Sequence, residues 1–150
     1  MRLPSASYAN SPWDPEMKID VVTGSVAFAN GMIDARADRE AFLKSSLGAS
    51  ARAVLENAGY VHLHFDPEPG ILANALFKND RLDRLFILMA NPSSNAGEWT
   101  EARELERKAI HDRWLRQELG QPPYEYDWGS VVSEYDAKGC ESEIILVYGK

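Results

Sequence analysis

Two histidines and an aspartate in one short stretch have the types and spacing of a metal site. His62, His64 and Asp66 alternate with apolar residues between Tyr60 and Asp66. Successive side chains of a strand point to opposite faces, so we expect both imidazoles and the carboxylate on one face of a half-buried strand. Imidazole and carboxylate ligands suit zinc. One hypothesis is therefore a small metal-binding protein or a metal-dependent enzyme.

The other candidates for chemistry do not complete such a site. The cluster resembles the first ligand cluster of metallo-β-lactamase-like hydrolases, but that family has another histidine where this chain has Pro67. His111 is the one further histidine that could complete a metal site, but a histidine on an apolar helix face is usually a hydrogen-bonded packing residue. No serine stands in a nucleophile elbow, and no glycine-rich stretch resembles a phosphate loop. We therefore expect no catalytic residue, no metal ligand and no cofactor.

Charge and composition indicate an acidic globular protein. The 150 residues fit a single domain, and 45% of them are hydrophobic. A net charge of −7 disfavours nucleic acid as a ligand and favours a partner with a basic surface. The lone Cys140 suits a reducing compartment. The longest apolar run, Leu85 to Ala90, is too short to span a membrane, and no secretion signal is visible, so we expect a cytoplasmic protein.

The second half of the chain predicts one long helix followed by a hairpin. Glu98 to Leu119 is rich in helix-forming residues and lacks proline, and Gly120 ends it. Tyr124 to Tyr135 and Ile144 to Tyr148 are rich in aromatic and β-branched residues. Residues 136–139 join them, so a strand, a turn and a strand are expected.

The first half predicts hairpins and a shorter helical region. Residues 1–15 are expected to form an irregular arm. Asn30-Gly31 suits a type I′ turn, which would pair Val26 to Ala29 with Met32 to Ala35. A helix is expected from Asp38 to Ser46, and a second helical segment from Ser50 to Asn57. Further strands are expected at Ile71 to Phe77 and Leu85 to Met89. The fold class is therefore α+β, with an antiparallel sheet of hairpins and two main helices, about 38–57 and 98–119, on one face.

The final hairpin has the composition of a binding surface. The segment from Tyr124 to Lys150 contains six acidic residues and two basic ones. Three aromatic residues spaced by two share a face beside these carboxylates, which is typical of an interface that binds cations. The same aromatic residues could instead cap the core against the long helix. The candidate partner-binding residues are Tyr124, Glu125, Tyr126, Asp127, Trp128, Glu134, Asp136, Glu141 and Glu143.

Eight short motifs are spread over the chain beyond residue 17: Asn30-Gly31-Met32-Ile33, Arg39-Glu40-Ala41-Phe42-Leu43, Phe77-Lys78-Asn79-Asp80-Arg81-Leu82, His111-Asp112-Arg113-Trp114-Leu115, Leu119-Gly120, Tyr126-Asp127-Trp128-Gly129-Ser130-Val131, Tyr135-Asp136-Ala137-Lys138-Gly139 and Ile144-Ile145-Leu146-Val147-Tyr148. Together they resemble small bacterial immunity proteins, which accompany secreted polymorphic toxins, including type VI and contact-dependent effectors. The resemblance implies an α+β protein that binds a cognate toxin in the cytoplasm and occludes it, with no catalytic residue carried over.

A third alternative is an obligate homodimer formed through the aromatic strand, so both monomer and homodimer stay open.

Overall fold

Ten strands and two α-helices form the part of the chain that the computed structural model describes, residues 15–90 and 100–149. The α+β class predicted from the sequence is confirmed. No helix within those ranges is long and apolar enough to cross a membrane. The elements are β1 (Lys18–Ile19), β2 (Val26–Phe28), β3 (Gly31–Ile33), α1 (Arg39–Leu43), a 3₁₀ turn (Gly48–Ser50), β4 (Arg52–Asn57), β5 (Tyr60–Glu68), β6 (Ile71–Lys78), β7 (Arg81–Met89), α2 (Glu101–Leu119), β8 (Tyr124–Tyr126), β9 (Gly129–Asp136) and β10 (Glu141–Tyr148).

The strands build two antiparallel sheets. A small sheet has the order β1-β2-β3, and a seven-stranded sheet has the order β4-β5-β6-β7-β10-β9-β8. In the central strands of the large sheet, alternate residues are buried, and these buried residues are register partners from one strand to the next. Leu63, Ala75, Leu85 and Leu146 form one such series. Residues paired across antiparallel strands share a face, so this series marks the core side of the sheet.

Both helices pack on that core side, as predicted. Phe42 of α1 stacks edge-on against Phe65, with ring centroids 5.1 Å apart, and also contacts Phe77. On α2, the buried Glu104 carboxylate accepts a 3.0 Å hydrogen bond from the backbone N–H of Ser142 in β10. The Ser142 hydroxyl donates to the backbone carbonyl of Glu104. We call this side of the large sheet the covered face.

Each helix has the caps expected from its flanking residues. Asp38 accepts a hydrogen bond from the N–H of Ala41, and Thr100 accepts one from the N–H of Arg103. Gly120 ends α2 with φ near +89°. The first helix is shorter than predicted, from Arg39 to Leu43. The second helix was predicted from Glu98 but begins at Glu101, because Thr100 is its extended N-cap, and the predicted residues 98 and 99 lie outside the described ranges.

The predicted helical segment Ser50 to Asn57 is wrong, because these residues form the end of a 3₁₀ turn and then strand β4. Ala58 and Gly59 both have positive φ, at 48° and 89°, and place Asn57 opposite Tyr60. That geometry is a two-residue hairpin turn and not a helix end. All six residues of β4 are exposed, and its apolar residues Ala53, Val54 and Leu55 are consecutive, so the alternation typical of a half-buried strand is missing.

Two predicted hairpins differ in register from those observed. Phe28 lies opposite Gly31, so Ala29 and Asn30 form the turn in place of Asn30 and Gly31. Gly31 is required for a different reason, since a Cβ there would come 2.5 Å from the hydroxyl oxygen of Ser46. The predicted strand from Tyr124 to Tyr135 is broken at residues 127 and 128, where β8 turns back to pair with β9.

One buried carboxylate links the two sheets. Glu68 is 5% exposed, and its two oxygens accept hydrogen bonds from the N–H groups of Ala29 and Glu16, at 2.9 and 2.8 Å. Buried carboxylates are tolerated when backbone donors satisfy them in this way. The sequence did not single out Glu68, because an acid at a strand end is usually solvated.

Candidate interaction surface

The seven-stranded sheet has a second side, the open face, on which neither described helix packs. One row of side chains crosses it from β5 to β9 through successive register partners: His64, Asn74, Phe86, Ile145 and Val132. On β6, the neighbouring open-face residue Leu72 is 46% exposed, and Val132 is 40% exposed. The centre of the open face is therefore apolar and partly accessible.

Sequence reasoning missed this apolar centre, although a signal was present. Strands β6 and β7 carry the near-continuous apolar runs Ile71 to Phe77 and Leu85 to Met89. A strand with one solvated face usually alternates apolar and polar residues, whereas a continuous apolar run indicates two apolar faces. The two apolar runs are thus explained by a sheet that has apolar side chains on both of its faces.

Four of the predicted binding residues meet at one corner of the open face. Glu134 lies opposite Glu143, and Asp136 lies opposite Glu141, on the adjacent strands β9 and β10. Side chains at positions 134 and 136 share a face, so all four carboxylates lie on one side. We call these four residues the acidic corner. None of the ion pairs formed among residues 15–90 and 100–149 includes them.

The acidic corner carries unbalanced negative charge. Burial raises the pKa of Glu143 from 4.5 to about 7, and the carboxylates of Glu141, Asp136 and Glu134 add to the effect. Like charges placed directly opposite on adjacent strands are unfavourable. A cation placed here would relieve this repulsion.

The predicted aromatic residues lie apart from the acidic corner and pack inside the protein. Tyr124 is 7% exposed and donates a 2.9 Å hydrogen bond to the carbonyl of Gly120. Tyr126 stacks on Trp128 with ring centroids 5.3 Å apart. The Trp128 indole N–H donates to the carbonyl of Val21, which ties the hairpin to the N-terminal segment. These contacts match the core-capping alternative. Whether any of the nine predicted residues touches a partner stays a prediction.

The remaining two predicted acids are solvent-exposed. Asp127 occupies the turn between β8 and β9. Glu125 pairs with Ser130, which in turn pairs with Val147, so its side chain is on the open face at the end away from the acidic corner. The structure therefore divides the predicted set into an acidic corner, two separate acids and a packed aromatic group.

The histidines do not converge. His62 and His64 are half-buried on the open face. His111 belongs to α2 and is buried between this helix and the covered face. Asp66 is exposed. Within the described ranges, no group of three or more histidine, cysteine, aspartate or glutamate residues is arranged to hold a metal ion. The structure thus contradicts a site built from His62, His64, Asp66 and His111.

His111 instead supports the packing of α2. Its Nε2 accepts a 3.0 Å hydrogen bond from the backbone N–H of Met89, and the residue is fully buried. The accepting nitrogen carries no proton, so the neutral ring is protonated on Nδ1. Burial, together with the nearby Arg107 charge, lowers the pKa of His111 from 6.5 to about 3. A histidine held neutral in this way is a packing residue, as the sequence suggested.

A cleft of about 380 Å³ lies between the C-terminal half of α2 and strands β8 and β9. Two of its charged groups form an ion pair, since Lys108 contacts Asp112 at 3.0 Å. Burial alone would raise the pKa of Asp112, but the hydrogen bond and the charge of Lys108, together with the Arg116 charge, hold that pKa below its usual value. A carboxylate that remains ionised in this way is a poor general acid.

Comparison with known proteins identifies the fold. No protein-family model matches the chain, and a search of curated proteins finds no match. A chain from the structure of Rhs1-CT in complex with cognate immunity protein RhsI1 aligns with a TM-score of 0.54 and 16% sequence identity. The alignment covers 88% of this chain and 86% of that chain. At this identity the likeness shows the fold alone, and at that level it supports the resemblance to effector–immunity proteins.

Proposed function

We propose that this protein is an immunity protein that binds and neutralises a cognate secreted bacterial toxin in the cytoplasm. The observation that carries the proposal is the shared fold with a chain from the Rhs1-CT complex with RhsI1, over most of both chains. The immunity-like motifs, which extend over most of the chain beyond residue 17, support it independently. The secretion route of such a toxin would be of the type VI or contact-dependent kind.

Inhibition would proceed by occlusion, with no chemistry supplied by this chain. A sheet held by Glu104, His111 and Glu68 is a rigid surface, and rigid surfaces lose little entropy when they bind. The excess of negative charge favours a toxin with a basic surface, as expected of an enzyme that acts on nucleic acid or another anionic substrate. The predicted residues of the last hairpin would supply contacts.

Co-expression tests the proposal. The toxin domain encoded by the adjoining gene is induced in a sensitive host with this protein, with an unrelated immunity protein or with empty vector. We expect survival only with this protein, and a toxin complex on size-exclusion chromatography whose mass also distinguishes monomer from homodimer. Continued killing without a complex, or an adjoining gene that encodes no toxin, would rule the proposal out.

The metal-binding hypothesis is not retained as a second function. The histidine cluster and His111 lie on opposite faces of the sheet, so they cannot share one ion.

A further inference from the structure

We infer that the partner docks on the open face of the seven-stranded sheet, through an apolar patch bordered by lysine or arginine side chains that reach the acidic corner. This inference rests on the proposed function and adds the location of the contact and the chemistry of the partner. It moves the predicted contact away from the packed aromatic residues of the last hairpin.

The apolar part of the surface has the position of an interface centre. Its accessible residues are Leu72 and Val132, whereas Phe86 is half-buried and Ile145 is 6% exposed. Phe86 and Ile145 lie side by side on the central strands β7 and β10. Leu72 and Val132 extend the patch to both sides and are 46% and 40% exposed. Interfaces place apolar residues at the centre and polar residues at the rim, which is the arrangement found here.

Charge complementarity determines the occupant. The acidic corner borders the apolar row, because Glu143 and Glu134 stand two residues from Ile145 and Val132 on their strands. Its four carboxylates have no ion-pair partner in the described ranges, and burial together with the three neighbouring carboxylates raises the pKa of Glu143. A lysine or arginine from a partner would remove that repulsion and gain a charge-assisted hydrogen bond.

The opposite end of the open face carries basic residues. Arg84 pairs with Leu76 and Val147, and Lys78 lies two residues beyond Leu76 on the same face. Arg84 also forms an ion pair with Asp83 at 3.8 Å, and Glu125 lies at the same end, so the charge there is mixed. The acidic corner, in contrast, carries charge of one sign, and it therefore determines where the basic side chains of a partner must lie.

Cysteine labelling locates the contact directly. Val132→Cys and, as a control, Met32→Cys are made separately in a Cys140→Ser background and treated with a maleimide, with and without the toxin domain. Met32 is 56% exposed and lies on β3, away from the open face. We expect the toxin to protect position 132 and to leave position 32 reactive.

The outcomes separate failure of this inference from failure of the proposed function. A complex that leaves position 132 reactive overturns the docking site but retains an immunity role. No complex at all removes the immunity role itself. A position 132 that is unreactive without toxin means that residues 1–14 or a second copy already cover the face, which also overturns the inference.

Matched substitutions test the chemistry of the contact. Glu134→Gln with Glu143→Gln removes two charges from the acidic corner, while Glu40→Gln with Glu56→Gln removes two exposed charges elsewhere. We expect the first pair to weaken toxin binding by roughly tenfold or more and to reduce its salt dependence. The control pair should change affinity by less than about twofold. Equal effects of the two pairs would contradict the inference.

An apolar pair completes the design. Leu72→Ser on the open face is compared with Leu105→Ser on α2, since the two leucines are 46% and 48% exposed. We expect only the Leu72 variant to lose affinity, by roughly tenfold, because truncating a central apolar contact costs more than truncating a solvated one. Unchanged affinity with Leu72→Ser would count against an apolar interface centre.

Discussion

His111 should make the stability of this protein sensitive to mild acid. In the folded chain the ring is neutral and accepts the N–H of Met89, and its pKa is lowered to about 3. In the unfolded chain the pKa returns to about 6.5. The unfolded state therefore binds a proton that the folded state does not, at every pH between these two values. The sign follows directly: the free energy of unfolding falls as the pH drops below 6.5.

The magnitude can be worked from the two pKa values. For one such group, the free energy of unfolding falls by about 1.4 kcal/mol for each pH unit below 6.5, until the pH approaches the pKa of the folded state. Between pH 8 and pH 5, His111 alone should thus lower the free energy of unfolding by about 2 kcal/mol. That is a substantial share of the roughly 5–15 kcal/mol that stabilises a typical domain.

Urea unfolding at pH 8, 7, 6 and 5 would measure the effect. His111→Gln is the informative variant, because its side-chain oxygen can still accept the Met89 N–H but does not titrate. The difference in free energy of unfolding between wild type and variant cancels the contribution of His62, His64 and the carboxylates. We expect this difference to shift by about 2 kcal/mol against the wild type between pH 8 and pH 5. Parallel pH curves for the two proteins would refute the assignment of a buried neutral histidine.

Three further substitutions test other parts of the structure. Because the folded pKa of Glu143 is raised from 4.5 to about 7, this group lowers the free energy of unfolding progressively as the pH rises from 4.5 to about 7, and the loss is complete above that pH. In the same unfolding assay, Glu143→Gln should therefore stabilise the fold by about 1 kcal/mol at pH 8 after allowing for solvent screening, with no gain at pH 4. Glu68→Ala should lower the free energy of unfolding by about 2–4 kcal/mol, because it leaves two backbone N–H groups without acceptors. Glu68→Gln keeps one acceptor oxygen, so in thermal unfolding it should be less destabilised than Glu68→Ala. Gly129→Ala should lower the melting temperature sharply, because its Cβ would lie 1.9 Å from the carbonyl oxygen of Val147. Gly70→Ala is the control, since a Cβ there meets nothing within 4 Å and the variant measures only the backbone cost of a positive φ.

Elements with a strong local signal were predictable from the sequence. The long helix to Leu119 follows from propensity and its glycine end, and the strand from Tyr60 follows from clean alternation of apolar and polar residues. Both signals arise within the segment itself. Strand β4 was mistaken for a helix, because its apolar residues Ala53, Val54 and Leu55 are consecutive and do not alternate with polar ones, and because backbone hydrogen bonds to the neighbouring strand stabilise this exposed edge strand.

The amino-acid sequence alone determined the α+β class and the excess of acidic over basic residues. It also supplied the acidic residues of the last hairpin. Only the tertiary structure decided which side of the sheet each of them occupies, because that depends on the register between β9 and β10 and on which face the helices cover. A strand carries both faces in one sequence, and distant segments determine which becomes core and which stays open.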